Sequence, residues 1–419
     1  MKVLSLSYTD YIGGAAKAAY RIHNALRLSN SDVENTLLVR IKSTDDPAVK
    51  VFGGAHLNPF RIKIGGQIQK LQQTCNENLH TGNWLPSKLS NYINNSNADV
   101  VHLHWVAGEM LSIADLGKID KPIVWTLHDM WPFCGSEHVD YNYDNEPRWV
   151  GGYTKINRSN NDRWIDVDKH VWNKKIKFWD KRNNFHIVGP SQWMSSCAEK
   201  SLLFRDSQIS TIPNCLDMSV FKRLDKRFCR EILSLPQRRK IILFGAIGGA
   251  KDKNKGFHFL VEAINKLYNR IVNKNEVLCV VFGQSKPEGC AEIPFDTIWT
   301  GHLYDDTSLS LLYNAADVMV VPSMVESFGQ TASEAQACGC PVVSFRTTGL
   351  IDIIIDNETG FLVNKFDCVD MSEAIASVIF ASEDKRRKLS NNAIARAAEL
   401  WSYDVVSAQY ISLYEQMSK

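Results

Sequence analysis

The feature that most constrains the fold is a repeated unit in which a short apolar run is followed by a polar loop and then by a stretch of helical length. The runs are rich in β-branched residues, as expected for strands buried on both faces of a parallel sheet. The predicted strands lie at residues 2–7, 35–39, 99–104, 122–127 and 186–191, and then at 240–245, 277–282, 297–299, 318–321 and 341–344. Amphipathic helices are predicted at residues 15–28, 257–267 and 308–315.

The length of the chain favours two domains. At 419 residues it is longer than a single domain of ~100–200 residues. Two βαβ-rich halves in series predict an α/β protein of two Rossmann-like, doubly wound domains that face a cleft. We place the first domain at residues 1–212, completed by a C-terminal helix at 401–419 that returns to it, and the second at 213–400.

Charge and cysteine content narrow the classes of function. The net charge of +2 and the isoelectric point of 8.0 give no global field that favours nucleic acid. The first eight residues are too few and too polar for a signal peptide, and no apolar run is long enough for a membrane-spanning helix. The ten cysteines lack the spacing of a zinc site, which suits free thiols in a cytoplasmic protein.

One segment is locally basic. Residues 148–186 hold ten Lys or Arg against four Asp or Glu, interleaved with Trp149, Trp164, Trp172 and Trp179. Two interpretations stay open, a solvated helical face and a surface that meets anionic lipid or a phosphorylated acceptor. The second interpretation would place the protein at the periphery of the inner membrane.

Polar residues that directly follow predicted strands are the first candidates for binding, because open parallel sheets bind ligands beyond the carboxyl ends of their strands. Six loops meet this criterion: Gly13 and Gly14, His104, His128 with Asp129, residues 248–255, residues 301–302 and residues 323–334. So many such loops in one chain indicate a binding cleft.

The loop at residues 323–334 has the strongest pattern. A strand ends at Val321 and a helix of small residues starts near Gly329, so the helix N-terminus offers unpaired N–H groups to phosphate or sugar hydroxyls. Glu326 lies just before that helix, where it can accept hydrogen bonds from sugar hydroxyls, and Glu334 can reach a ribose diol. The residues between them complete the predicted donor contacts: Ser327, Phe328, Gly329 and Gln330.

The spacing of Glu326 and Glu334, followed by residues 335–343 (AQACGCPVV), resembles the signature of retaining family 4 glycosyltransferases with the GT-B fold. The first half fits through Gly13 and Gly14, residues 101–105 (VHLHW) and residues 126–133 (TLHDMWPF), and the last run resembles a branch found in bacterial surface-polysaccharide assembly, that is, exopolysaccharide, lipopolysaccharide and O-antigen. Many members of that branch carry a cysteine cluster after the His-Asp pair; here only Cys134 is present.

The resemblance implies transfer of a hexosyl unit, with retention of configuration, from a UDP- or GDP-linked sugar to a glycan acceptor, in particular a lipid-linked one. It implies a donor-binding second domain and an acceptor-binding first domain. His128 would bond to the donor sugar, and Gly13 and Gly14 would approach the donor diphosphate or the acceptor. Asp10, His104 and Asp129 are acceptor-side candidates.

The resemblance also implies a phosphate clamp of one Arg and one Lys. Lys255 matches the Lys, but Ala246 or Gly249 stands where the Arg is expected, so that Lys251 or Lys253 would have to substitute. No Asp-x-Asp follows a strand, and Asp305 with Asp306 better suits a helix cap. We therefore expect no metal and no cofactor besides the nucleotide-sugar, with charge stabilised by Lys255 and helix N-termini.

Two other classes remain as alternatives. A sugar-nucleotide epimerase of the same fold would change its substrate without an acceptor. A non-catalytic sugar-nucleotide binding protein would lack Glu326 or Lys255, and both are present. A dehydrogenase is disfavoured, because no G-x-G-x-x-G follows the first strand.

Overall fold

The structure is a computed structural model that describes residues 1–29, 31–53, 58–141, 146–180, 182–245, 252–289, 291–303 and 305–418. The chain forms two compact units. Unit 1 comprises Met1–Cys215 and Tyr403–Lys419, and unit 2 comprises Leu216–Ser402. The boundary between the units thus lies after residue 215, and the C-terminal helix belongs to unit 1.

Unit 1 contains a seven-stranded sheet in the order β3-β2-β1-β5-β6-β8-β9. All of its strand pairs are parallel, and β4 pairs with β7 as a separate antiparallel ribbon. The strands are β1 (Lys2–Thr9), β2 (Glu34–Ile41), β3 (Val49–Val51), β4 (Gln72–Gln73), β5 (Val100–Leu103), β6 (Ile123–Thr126), β7 (Arg163–Trp164), β8 (Phe185–Gly189) and β9 (Gln208–Thr211). The helices are α1 (Gly14–Leu28), α2 (Asn58–Gln69), α3 (Leu89–Asn94), α4 (Ile113–Leu116), α5 (Arg148–Gly151), α6 (Val167–Trp179), α7 (Gln192–Lys200) and the C-terminal α15 (Tyr403–Met417).

Unit 2 contains a six-stranded parallel sheet in the order β12-β11-β10-β13-β14-β15. The strands are β10 (Lys240–Gly245), β11 (Val277–Phe282), β12 (Thr297–Trp299), β13 (Val318–Val321), β14 (Val342–Phe345) and β15 (Gly360–Val363). The helices are α8 (Lys226–Ile232), α9 (Phe257–Arg270), α10 (Asp306–Ala315), α11 (Gln330–Ala337), α12 (Leu350–Ile353), α13 (Cys368–Ile379) and α14 (Glu383–Trp401). The α/β class and the pair of Rossmann-like units are confirmed.

The sheet of unit 2 is buried on both faces, which explains its uninterrupted apolar runs. In β11, Val277, Cys279 and Val281 pack into one core cluster, and the alternate residues of the strand pack into the other. Side chains of a strand point to opposite faces in turn, so a strand with cores on both sides needs apolar residues throughout.

Several local predictions are confirmed. Ser191 caps α7 by accepting a hydrogen bond from the N–H of Met194, and Asp305 caps α10 through the N–H of Ser308. Helix α15 packs on unit 1 through Val406, Tyr410 and other residues of a shared apolar cluster. The helix predicted to begin at residue 401 begins at Tyr403, because Trp401 is the buried end of α14.

The strand order brings two pairs of loops together. In unit 1 the order reverses between β1 and β5, and in unit 2 it reverses between β10 and β13. At such a switch point the loops after the two neighbouring strands diverge to opposite faces and leave a crevice that binds ligands. The loops that follow β1 and β5 therefore position the candidate site of unit 1, and the loops that follow β10 and β13 position that of unit 2.

Candidate active site

The switch point of unit 2 joins the loop after β10 to the loop after β13. The N–H of Met324 donates to the carbonyl of Asn254 over 2.7 Å. Asn254 belongs to a 3₁₀ turn, Lys253–Lys255, that is capped by the side chain of Asp252. The two loops are thus fixed to each other directly beside Lys255.

Lys255 and Glu326 form an ion pair across these loops. Lys255 Nζ lies 2.7 Å from Glu326 Oε1, which also accepts a hydrogen bond from the Ser323 hydroxyl over 2.9 Å. Burial opposes the charged form of Lys255, but the Glu326 carboxylate outweighs it and raises the pKa of Lys255 above its ordinary value. Residues that are 71 positions apart in sequence therefore place a permanent positive charge against a carboxylate.

Helix α11 begins immediately after this pair. Its N-cap, Gly329, has φ +103° and no side chain to cap the first turn. The ring of Phe328 is buried against Trp401 at 6.1 Å, so only its backbone is available to a ligand. Glu334 is buried one turn further along and accepts a hydrogen bond from the Tyr313 hydroxyl over 2.8 Å. The helix N-terminus suits an anion next to Lys255.

Gly256 follows Lys255 and ends the turn that positions it. Its φ of +66° is rarely adopted by other residues. A Cβ at this position would lie 1.9 Å from the carbonyl oxygen of Pro322. We expect Gly256→Ala to destabilise unit 2 by at least about 1–3 kcal/mol and to lower activity by displacing Lys255. Gly66→Ala, on α2 with nothing within 4 Å of its Cβ, is the control and should stabilise by up to about 1 kcal/mol. Thermal melts check both, and a wild-type melting temperature for Gly256→Ala would contradict the expectation.

The switch point of unit 1 holds a cavity of about 220 Å³ at the N-terminus of α1. Its lining comprises Ser7, Tyr8, Thr9, Ile12, Gly13, Gly14, Ala15, Ala16 and Trp105. The buried hydroxyls of Ser7 and Tyr8 have no hydrogen-bond partner among the described residues, and Tyr8 meets Trp105 edge to face. Aromatic walls with unpaired hydroxyls and helix N–H groups suit a polyhydroxylated ligand.

Asp10, predicted as an acceptor-side residue, lies in a hydrogen-bond network with Ser43 and Thr44. Its buried carboxylate accepts hydrogen bonds from the N–H and hydroxyl groups of both Ser43 and Thr44, over 2.7–3.0 Å. Burial alone would raise the pKa of Asp10, but these bonds lower it below its ordinary value. The carboxylate therefore holds the turn after β2.

Asp129, also predicted as an acceptor-side residue, accepts hydrogen bonds from three neighbours. Its Oδ2 accepts hydrogen bonds from Trp105 Nε1 over 2.7 Å and from His138 Nδ1 over 2.6 Å, and its Oδ1 accepts one from the N–H of Trp131. Burial would raise the pKa of Asp129, but these partners lower it. Asp129 therefore anchors Trp105, the wall of the cavity, and no sequence signal pointed to His138 as its partner.

His104 and His128 follow the neighbouring strands β5 and β6. His104 Nδ1 lies 3.0 Å from His128 Nε2, and the rings stack 5.2 Å apart. Burial lowers the pKa of His128 to about 4, against the opposing effect of Asp129, and lowers that of His104 well below its ordinary value. Both rings are therefore neutral at pH 7.

Part of the basic run is internal, although most of its described Lys and Arg side chains are exposed or half-buried. Trp149, Trp172 and Trp179 are buried. Lys175 is buried too, and its ammonium group donates to the carbonyls of Trp131, Cys134 and Gly135. Of the four tryptophans in this run, only Trp164 lies at the surface, with 70% of the residue exposed.

Lys251, predicted as a donor contact, and Ala246 and Gly249 in the clamp position lie outside the described residues. Over the described ranges, no group of three or more His, Cys, Asp or Glu side chains could hold a metal ion. The nine cysteines in the described part of the chain are free thiols.

Two family models cover most of the chain. Residues 12–220 match "Glycosyltransferase Family 4", and residues 225–396 match "Glycosyl transferases group 1". A D-inositol 3-phosphate glycosyltransferase of Xylanimonas cellulosilytica is 32% identical over 77% of this chain and 72% of its own length. This chain belongs to the group 1/family 4 glycosyltransferases.

Other similarities are more partial or concern the fold. D-inositol 3-phosphate glycosyltransferase 2 of Catenulispora acidiphila is 34% identical, over 46% of this chain and 48% of its own length. The structure of Anabaena HepE in complex with UDP-glucose superposes with a TM-score of 0.65 at 15% identity, over 99% of this glycosyltransferase and all of that chain. The GT-B class of fold is thereby confirmed, whereas the surface-polysaccharide branch is not.

Among the described residues of this glycosyltransferase, no helix combines the length and the apolar character needed to cross a membrane.

Proposed function

We propose that this glycosyltransferase transfers a hexosyl unit from a nucleotide-sugar to a glycan hydroxyl with retention of configuration. The observation that carries the proposal is the Lys255–Glu326 ion pair at the switch point of unit 2, next to the uncapped N-terminus of α11. Such a site offers fixed positive charge for a diphosphate and a carboxylate for sugar hydroxyls at adjoining positions.

In the proposed reaction the bond between the anomeric carbon and the diphosphate oxygen breaks, and the leaving diphosphate becomes more negative. Lys255 and the N–H groups at the start of α11 stabilise that charge, because they are already oriented toward it. Glu326 accepts hydrogen bonds from the sugar, and Glu334 from the ribose. The acceptor oxygen attacks on the face that the diphosphate leaves, and a diphosphate oxygen takes its proton, which accounts for retention without a protein nucleophile.

The donor is proposed to be a uridine diphosphate sugar. Support comes from the similarity to HepE, whose structure contains UDP-glucose. A thermal-shift screen of UDP-, GDP- and ADP-linked sugars tests this, because a ligand at a hundred times its dissociation constant stabilises the native state by about 2.7 kcal/mol. A shift with GDP-sugars alone would contradict the choice of uridine, and formation of a new sugar nucleotide without acceptor would indicate an epimerase.

Two acceptors are candidates, and the cavity of unit 1 favours the first. A glycan, in particular a lipid-linked one in surface-polysaccharide assembly, fits aromatic walls and hydroxyls, and no cationic side chain lines this cavity among the described residues. Inositol 3-phosphate is the second candidate, since the curated relatives carry that name. Product formation with inositol 3-phosphate but not with lipid-linked oligosaccharide would overturn the first choice.

A lipid-linked acceptor requires contact with a membrane surface, and we place this contact at an exposed patch of unit 1 formed by Leu71, Trp164 and Ile165, which are 50%, 70% and 48% exposed. The N–H of Ile165 donates to the carbonyl of Leu71, and Lys70 and Arg163 flank the patch. Apolar and basic residues together suit an anionic bilayer.

We expect Trp164→Ala to weaken binding to phosphatidylglycerol vesicles about tenfold in a sedimentation assay. Val272→Ala, which alters a 99% exposed side chain of unit 2, is the control and should bind as wild type does. If the wild-type protein bound neutral phosphatidylcholine vesicles as well as phosphatidylglycerol vesicles, the assignment of this patch to an anionic bilayer would be contradicted.

A further inference from the structure

The contacts of His104 and His128 in unit 1 determine which of their ring nitrogens carry a proton. His104 Nδ1 contacts His128 Nε2, whereas His104 Nε2 is buried without a partner among the described residues. A proton on Nε2 would leave a buried donor unpaired, which is less tolerable than an unpaired acceptor. The proton of His104 therefore lies on Nδ1, and His104 donates to His128.

This donation fixes the tautomer of His128. Its Nε2 accepts from His104, so the single ring proton of neutral His128 lies on Nδ1. The side chain is only partly buried, and its Nδ1 makes no hydrogen bond to any described residue. Nδ1–H is consequently available to donate to an oxygen of a ligand.

The His104–His128 pair packs against a third histidine, His102, which is hydrogen-bonded to the C-terminal helix α15. The ring of His102 lies 4.0 Å from that of His104. His102 Nδ1 contacts the Tyr414 hydroxyl at 2.7 Å, and its Nε2 contacts the Thr126 hydroxyl at 2.8 Å. Thr126 is the last residue of β6, two positions before His128, and its hydroxyl also contacts that of Tyr410.

We propose that His104 is a positioning residue, which orients His128 and holds it in the tautomer that donates from Nδ1 to an oxygen of the transferred sugar. The proposal rests on the proposed function and on the predicted hydrogen bond from His128 to the donor sugar. It replaces the prediction of His104 as an acceptor-side contact. It also requires the sugar atom facing His128 to act as an acceptor.

Two substitutions separate positioning from packing. His104→Leu removes the donor, while His104→Asn keeps an N–H close to the position of Nδ1. We expect His104→Leu to lower kcat tenfold to a hundredfold with KM for the donor changed less than threefold, and His104→Asn to recover most of the lost rate. Equal losses in the two variants would reduce His104 to a packing residue and overturn the proposal.

Nitrogen NMR of ¹⁵N-histidine-labelled protein gives a readout that is independent of catalysis. In wild type the His128 signals should show a protonated Nδ1 and an unprotonated Nε2, and in His104→Leu both tautomers should be populated. The signals of His186, which bonds to Gln208 and Ser210, are the internal reference. Unchanged His128 signals in His104→Leu would overturn the proposal.

The role of His128 itself is tested separately by His128→Ala. Near wild-type transfer by that variant would refute the proposed contact with the sugar. The NMR comparison would still show whether His104 sets the tautomer, so the two failures are distinguishable.

Discussion

Replacing Lys255 by methionine should lower kcat by about a hundredfold to a thousandfold, because one preoriented charge that stabilises the leaving group typically contributes that much. The free energy of unfolding should change little, because Lys255 is 39% exposed. An ion pair of this exposure contributes less than about 1 kcal/mol to stability. Steady-state kinetics with saturating donor, together with a thermal melt, measure the two effects.

Lys266→Met is the matched control for this variant. Lys266 lies on α9, is also 39% exposed and also pairs with a glutamate, Glu262, at 3.3 Å. It lies away from the switch point and should keep wild-type kcat. A comparable loss of kcat in both variants would show that the overall positive charge of the protein, rather than Lys255 in particular, affects catalysis, and would refute the assignment of Lys255. A wild-type kcat in Lys255→Met would also refute it.

The interior strands could be predicted from sequence because burial on two faces leaves a continuous apolar run. The predicted bounds of β11, residues 277–282, are those observed. The two edge strands of unit 1 gave no such signal. β3 exposes two of its three residues, and β9 has no fully buried residue, so their sequences resemble loops. The order of strands, which creates both switch points, depends on pairing between distant segments and is not encoded in any one of them.

At the site, the sequence located the loops but not the state of their side chains. Glu326 and Lys255 were both predicted, and they form one ion pair. Asp10 and Asp129 also follow strands, yet their carboxylates are occupied by neighbours that no local spacing reveals. Likewise Lys175 looks like a surface lysine in a basic run, but it is buried and donates to three carbonyls of the turn at residues 131–135.

Removing the carboxylate of Asp317 should have the largest effect on stability. Asp317 precedes β13, the strand that leads to Glu326, and its Oδ2 accepts from Arg230 Nη2 and from the N–H of Ile241, each over 2.8 Å. Arg230 is only 4% exposed. Asp317→Ala would leave this guanidinium buried without its counter-ion, so we expect a loss of about 3–5 kcal/mol.

The matched control is Lys226→Ala, which removes the other cation of the same carboxylate. Lys226 lies 3.0 Å from Asp317 Oδ1 but is 44% exposed, so its loss should cost less than about 1 kcal/mol. Urea unfolding of both variants at pH 7 gives the comparison. If the two variants lost similar free energies of unfolding, the stabilisation would come from the charges around Asp317 and not from the burial of Arg230.

The pH dependence gives a further check on Asp317. Burial opposes ionisation of this carboxyl, but Lys226 and Arg230 outweigh it and lower the pKa of Asp317 below its ordinary value of 3.8. A lowered pKa means that the stabilisation is fully present above pH 3.8 and is lost as the pH falls through the folded-state value. The difference between wild type and Asp317→Ala should therefore be constant from pH 8 to pH 5, within about 0.5 kcal/mol. A difference that declines across this interval would mean that another titrating group, and not the ionised Asp317, holds Arg230 at the start of β13.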